Sequence, residues 1–178
     1  MKGIVNYLEQ YNIPFSGLKP GSYTFDFHID GKFFELFEQS EIKEGNVAVE
    51  VIMDKEERLF DLHFKLKGRV IVPCDRCLED IPVEIEGSQR LLVKIGDKYL
   101  EESEEVQVIP DSDHKIELGS FLYEYIVLML PARRVHPDDE NGESMCNPEV
   151  IRKLNELNEH HEPDLRWDIL NKLKDDKS

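Results

Sequence analysis

From Phe60 onward, apolar and polar side chains alternate: Phe60, Leu62, Phe64 and Leu66 fall on one side, and Asp61, His63, Lys65 and Lys67 on the other. Only an extended chain places every second residue on one face, so this run is a β-strand with one face buried. Val47, Val49, Val51 and Met53 repeat the pattern ahead of the turn Asp54-Lys55-Glu56-Glu57. The two runs therefore read as an antiparallel hairpin. Tyr23, Phe25, Phe27 and Ile29 alternate before it; Ile81, Val83 and Ile85, then Leu91, Leu92, Val93 and Ile95, extend the sheet after it. Gly68 predicts a bulge or kink between Leu66 and Val70-Ile71-Val72.

The rest of the chain is punctuated differently. Phe33, Phe34, Leu36 and Phe37 read as a short helix or hydrophobic plug. Residues 97–117 read as an acidic loop holding one short strand at Val106, Val108 and Ile109. Residues 118–130 form a buried-helix candidate, too short to span a bilayer and ended by Pro131. Pro148 suits the first position of a helix, with Ile151, Leu154 and Leu157 at helical spacing behind it. A last amphipathic helix is predicted over 165–173. The expected fold is α+β: an antiparallel, strongly curled or barrel-like sheet with a buried helix and a short helical C-terminal tail. Residues 1–131 form the expected core domain, and 132–178 a polar linker and helical tail packing on or extending from it.

Charge bounds the partners. The chain carries a formal net charge of -16, with 38 acids against 22 Lys and Arg. The imbalance concentrates in residues 99–149, which hold thirteen acids and three bases, whereas residues 55–98 hold nine of each. Such a surface repels a phosphate backbone. Direct contact with RNA is therefore expected only through local basic patches, Arg133-Arg134 and the strand face of Lys65, Lys67 and Arg69. The run Met1 to Leu8 meets polar residues too soon for a signal peptide, and no apolar stretch reaches membrane length, so a cytoplasmic location without membrane contact is expected.

The chemistry-bearing feature is Cys74-Asp75-Arg76-Cys77. The chain has 3 cysteines, so one chain cannot build a four-cysteine site. The pair falls between two strand-like runs. A thioredoxin-type pair lies at a helix N-terminus, which lowers a thiol pKa, so redox catalysis is disfavoured. A pair in a tight turn suits a zinc knuckle, with both thiolates directed at one ion. Two further ligands are then required, and Cys146 and His136 in the polar linker are the candidates, with His114, His160 and His161 as further options. The alternative is a reduced pair that shapes a turn. Arg76 is placed to steady thiolates electrostatically without any metal. Glycine-rich phosphate loops, His-Glu-x-x-His helices and Gly-x-Ser-x-Gly elbows are absent from the sequence, and Glu101, Glu102, Glu104 and Glu105 read as a solvated acidic stretch, so no enzyme is expected. Trp167, the 1 tryptophan, reads as a packing anchor or a partner contact.

Taken with the run from Ile13-Pro14 to Gly17-Leu18-Lys19-Pro20-Gly21, Phe33-Phe34, the hairpin and Gly68, the block Cys74-Asp75-Arg76-Cys77-Leu78 resembles the YceD family of large ribosomal RNA subunit accumulation proteins. The resemblance continues at Leu128 to Pro131 with His136 beyond, and at Pro163-Asp164-Leu165-Arg166-Trp167. It implies a non-enzymatic factor that supports accumulation of large-subunit ribosomal RNA and ribosome assembly. The implied partners are ribosome assembly intermediates or ribosomal proteins. Cys74, Arg76 and Cys77 carry the family motif, with Cys146 as a further metal partner. Arg76, Arg133, Arg134 and Trp167 are the expected partner-binding residues. A zinc-stabilised interaction module without a ribosomal role is the alternative.

Overall fold

A computed structural model describes residues 7–159 of the chain. The expected tail helix over 165–173, His160, His161 and Trp167 lie outside the described residues. A 3-10 turn at Glu9–Tyr11 leads into β1 (Asn12–Pro14), β2 (Gly21–Asp30) and a one-turn helix α1 (Gly31–Phe34). Three long strands follow: β3 (Glu44–Lys55), β4 (Leu59–Pro73) and β5 (Asp80–Gly96). Then come β6 (Leu100–Ser103), β7 (Val106–Pro110), β8 (Lys115–Glu117), α2 (Gly119–Leu128) and α3 (Pro148–Glu159).

The alternating runs determine the long hairpins. β3 pairs with β4 from Lys55↔Phe60 to Glu44↔Ile71, and β4 pairs with β5 from Leu59↔Lys94 to Pro73↔Asp80. Inward residues Val47, Val49, Val51, Met53, Phe60, Leu62, Phe64 and Leu66 are all 2% exposed or less. Burying a side chain of this size stabilises by roughly 1.5–3 kcal/mol, which is why the register does not slip. Gly68 makes no bulge: the ladder runs through it unshifted, opposite Val47 on one side and Ile85 on the other. Its role is close approach. A Cβ there would lie 2.2 Å from the Asn46 carbonyl oxygen and 2.6 Å from Val47 Cα.

The expected sheet architecture is wrong in three respects. The protein is mostly sheet, with three short α-helices among the described residues, rather than α+β. The main sheet has the order β2-β3-β4-β5-β7-β6, and its outer strands do not meet, so it is open and neither closed nor strongly curled. It is also mixed, because β7 runs parallel to β5 from Leu92↔Val106 to Gly96↔Pro110, with β6 antiparallel outside it. Alternation specifies which face each strand buries and favours sequential hairpins. It carries no information on whether the first and last strands join, or on a short hairpin folding back beside an earlier strand. The acidic stretch 97–117 thus contains three strands, not one. β6 is exposed at every position and so has no apolar alternation to reveal it.

The helix after β8 is not buried throughout. Leu122, Tyr125 and Ile126 pack inward, and the Tyr125 ring meets Phe64 edge-on at 5.1 Å between centroids. Val127 and Leu128 are 40% and 71% exposed. Just beyond, Met129 fills the space left by Gly87 of β5, where a Cβ would lie 2.8 Å from its Cε. Among the described residues, no helix is long and apolar enough to cross a membrane.

Candidate metal centre

The link from β4 to β5 is a tight turn closed by its own backbone. The Cys74 N–H donates to the Glu79 carbonyl at 2.8 Å, and the Leu78 N–H donates to the Cys74 carbonyl at 2.9 Å. Leu78 has a φ of 62°, the single positive value for a non-glycine among the described residues, and its side chain is 75% exposed. A residue held in this region costs on the order of 1–3 kcal/mol, so the surrounding structure must over-determine the turn. The result is that Cys74 and Cys77 face the same point.

A second segment is docked against the turn after α2. Asp75 N–H donates to the Arg134 carbonyl at 2.7 Å, and Arg134 N–H donates to Asp75 Oδ2 at 2.6 Å. The Arg134 guanidinium then bridges Asp75 at 3.2 Å and Glu41 at 2.7 Å. Those carboxylates, Glu41 foremost, raise its pKa further. This reciprocal tie sets His136 two residues beyond, facing the cysteines. Arg76 donates to the His136 carbonyl at 3.3 Å, while its Nε is buried without a partner.

The third segment brings Cys146. Asp139 Oδ1 accepts the N–H groups of Asn141 and Glu143 at 2.9 and 2.8 Å, folding the loop back, and Ser144 Oγ accepts the Cys146 N–H at 3.2 Å. Asn147 caps α3 by accepting the Glu149 N–H at 3.0 Å, with Pro148 at the first helical position. Its amide also donates to Glu79 Oε1 at 2.7 Å, joining the cap to the cysteine turn.

Four donor atoms converge. The Sγ atoms of Cys74, Cys77 and Cys146 and a ring nitrogen of His136 lie within 4.8 Å of one another. Cys74 Sγ is 3.7 Å from Cys146 Sγ, while His136 Nδ1 is 3.4 Å from Cys77 Sγ and 3.7 Å from Cys146 Sγ. A tetrahedral zinc with its usual bond lengths has edges of about 3.8 Å between sulfurs and about 3.6 Å from sulfur to nitrogen. These three separations match such edges, and the remaining pairs lie within 4.8 Å. A disulfide, by contrast, needs sulfurs about 2.05 Å apart, and all three cysteines are free thiols.

The electrostatics agree with that donor set. Burial raises the Cys74 pKa, but N–H groups of Cys77, Arg76 and His136 outweigh it and bring the thiol down to about 6. Burial pushes Cys77 up, helped by the neighbouring Cys74 and Cys146 sulfurs and opposed by the N–H groups of Asn147 and Glu79. Three thiols this close cannot all ionise without a cation among them. The backbone N–H groups aimed at sulfur are what a thiolate ligand accepts. The arrangement is suited to hold a metal ion such as zinc in a closed three-cysteine, one-histidine site, with Arg76 alongside to offset excess negative charge.

The other sequence candidates are dispersed. Arg133 is exposed, and among the described residues no ion pair to it is found. His114 lies in the turn before β8, where its carbonyl accepts from Phe15 and Ser16. Lys65, Lys67 and Arg69 face Glu50, Glu86 and Glu84 at 2.9, 2.8 and 2.6 Å, so the basic strand face is neutralised by its neighbours. Asp75, Ser144 and Asn147 were missed as supports. The pair Asn147-Pro148 was a legible helix-start signal; the tie from Asp75 to Arg134 spans 59 positions and leaves no local trace.

Comparison with known proteins found one family. The description "Large ribosomal RNA subunit accumulation protein YceD" matches over residues 62–174, well over half of the chain and including all four converging residues. No curated protein and no solved structure matches it.

Proposed function

Because the chain belongs to the family of large ribosomal RNA subunit accumulation proteins, we propose that it is a non-enzymatic factor supporting accumulation of that RNA through protein or ribonucleoprotein contacts. The family's name ties it to large-subunit RNA. The observation that carries the non-enzymatic part is the closed donor set. Four protein ligands leave no position for water or substrate, unlike a catalytic zinc. Cys74, Cys77, His136 and Cys146 would hold a zinc, which would cross-link the β4–β5 turn, the segment after α2 and the start of α3 and so would fix the surface that the chain presents at that end. Contact through partner proteins is supported by the net charge of -16 and by the neutralised strand face.

The test is depletion in the native host, scoring mature large-subunit against small-subunit ribosomal RNA. Depletion is expected to lower the ratio, the wild-type chain to restore it, and Cys146→Ser to restore it poorly. An unchanged ratio on depletion contradicts the ribosomal role and favours an interaction module acting elsewhere.

A further inference from the structure

A second, chemically different region lies between α2, β5 and the turn joining β6 to β7. There the chain forms a cleft of about 380 Å³. Its rim carries Glu104, Glu105 and Glu124, all exposed, and none is in an ion pair among the described residues. The backbone beneath the rim is anchored, because Leu92 N–H donates to the Glu105 carbonyl at 2.8 Å. Beside the acids runs an apolar shelf of Val127 and Leu128. Arg90 also lines the cleft, but Asp61 takes two of its N–H groups at 2.8 and 2.6 Å.

An independent observation marks the same cleft. Tyr125 lines it and is 5% exposed, yet its hydroxyl has no hydrogen-bond partner among the described residues. A buried hydroxyl without a partner is disfavoured, and natural cores keep few of them. Glu124 and Glu105 lie near enough to add to the effect of burial in raising its pKa.

We infer that this cleft is a docking site for a basic, extended segment of a partner protein. An arginine or lysine of that segment lays its aliphatic stem along Val127 and Leu128 and sets its cation among Glu104, Glu105 and Glu124. Long cationic side chains bury their stems and keep their heads polar, which is the pattern this surface matches. The guest reaches the Tyr125 hydroxyl by displacing rim side chains and gives it the partner that the fold lacks. RNA is the wrong guest, because three unpaired carboxylates repel phosphate. This inference stands on the cleft alone and does not depend on a ribosomal role.

The test is fluorescence anisotropy on the full chain, with a short synthetic peptide alternating arginine and leucine as probe. A second peptide carries glutamine in place of arginine. The arginine peptide is expected to bind, more weakly as salt rises, and the glutamine peptide to bind far less. The combined variant Glu104→Gln, Glu105→Gln, Glu124→Gln is expected to weaken binding about tenfold or more. Equal charge removal elsewhere, by Glu38→Gln, Glu56→Gln, Glu57→Gln, should change it less than about twofold. Tyr125→Phe should weaken binding while leaving the melting temperature unchanged or higher, since it removes a buried polar atom without a partner. Absence of peptide binding, equal weakening by both triple variants, or single-stranded RNA competing for the cleft overturns the inference.

Discussion

The two ends of the β5 neighbourhood solve opposite problems. At the β4–β5 turn, Cys74, Cys77, His136 and Cys146 come from three segments and point at one another. Between α2 and the β6–β7 turn, Glu104, Glu105, Glu124 and Leu128 are exposed, and the three acids have no ion-pair partner among the described residues. The first region satisfies its donors within the chain, given one cation. The second leaves charge and apolar area unmatched. The contrast teaches that the same acidic chain closes itself where side-chain chemistry is strong and specific. It stays open where matching needs another molecule.

The largest effect should come from breaking the closed end. Removing zinc with a chelator, or substituting Cys74→Ser, is expected to lower stability by about 3 kcal/mol or more, since metal binding free energy becomes folding free energy. For a chain of this size that lowers the melting temperature by roughly 10 °C. Hydrogen exchange should rise first near His136, Cys146 and α3, whereas β3 and β4 stay protected. Uniform exchange throughout would erase the contrast between the two regions.

Next in size is the tie that docks the second segment. Asp75→Ala removes the acceptor for the Arg134 N–H and one side of its ion pair. The expected loss is about 1–2 kcal/mol in denaturant unfolding, with weaker zinc affinity. A loss of stability with unchanged zinc affinity would show that the tie does not position His136.

Leu78→Gly is smaller and opposite in sign. It relieves the positive φ without losing packing, because Leu78 is 75% exposed. Glycine adds freedom to the unfolded chain, so the net gain should be about 1 kcal/mol or less by thermal melting. A destabilised variant would mean that the leucine packs in solution.

The smallest effect lies on the outer sheet face. The Arg90 hydrogen bonds hold the Asp61 carboxyl below its ordinary 3.8, against the opposing effect of burial, with His63 assisting. The folded state therefore binds this proton less readily than the unfolded chain. Its contribution is present above the unfolded pKa and is lost as pH falls below about 4, through the folded value. Asp61→Asn should flatten the acid limb of the stability profile by less than about 1 kcal/mol. An unchanged acid limb would remove this pair from the account.

Sequence pattern carried the long strands, because period-two burial in Phe60 to Leu66 leaves one solution for each face. It did not carry the openness of the sheet or the parallel β5–β7 pair, which depend on contacts between distant segments. It named Cys74, Cys77, Cys146 and His136 as candidate ligands beside the reading of a reduced turn; the distances add that the four donor atoms converge and could hold a metal ion. Arg134 read as half of the basic patch Arg133-Arg134; that it also braces Glu41 and Asp75 was not legible, since pairing across distant positions is invisible in a linear chain. Tyr125 read as ordinary core; only its three-dimensional surroundings show a hydroxyl without a partner.

A metal bound at the β4–β5 end would be carried by the purified protein. Elemental analysis of the purified full-length chain tests it most directly. The expected result is one zinc per chain, lost in Cys146→Ser. Folded wild-type protein that contains no zinc and takes up none when zinc is supplied under reducing conditions would contradict it.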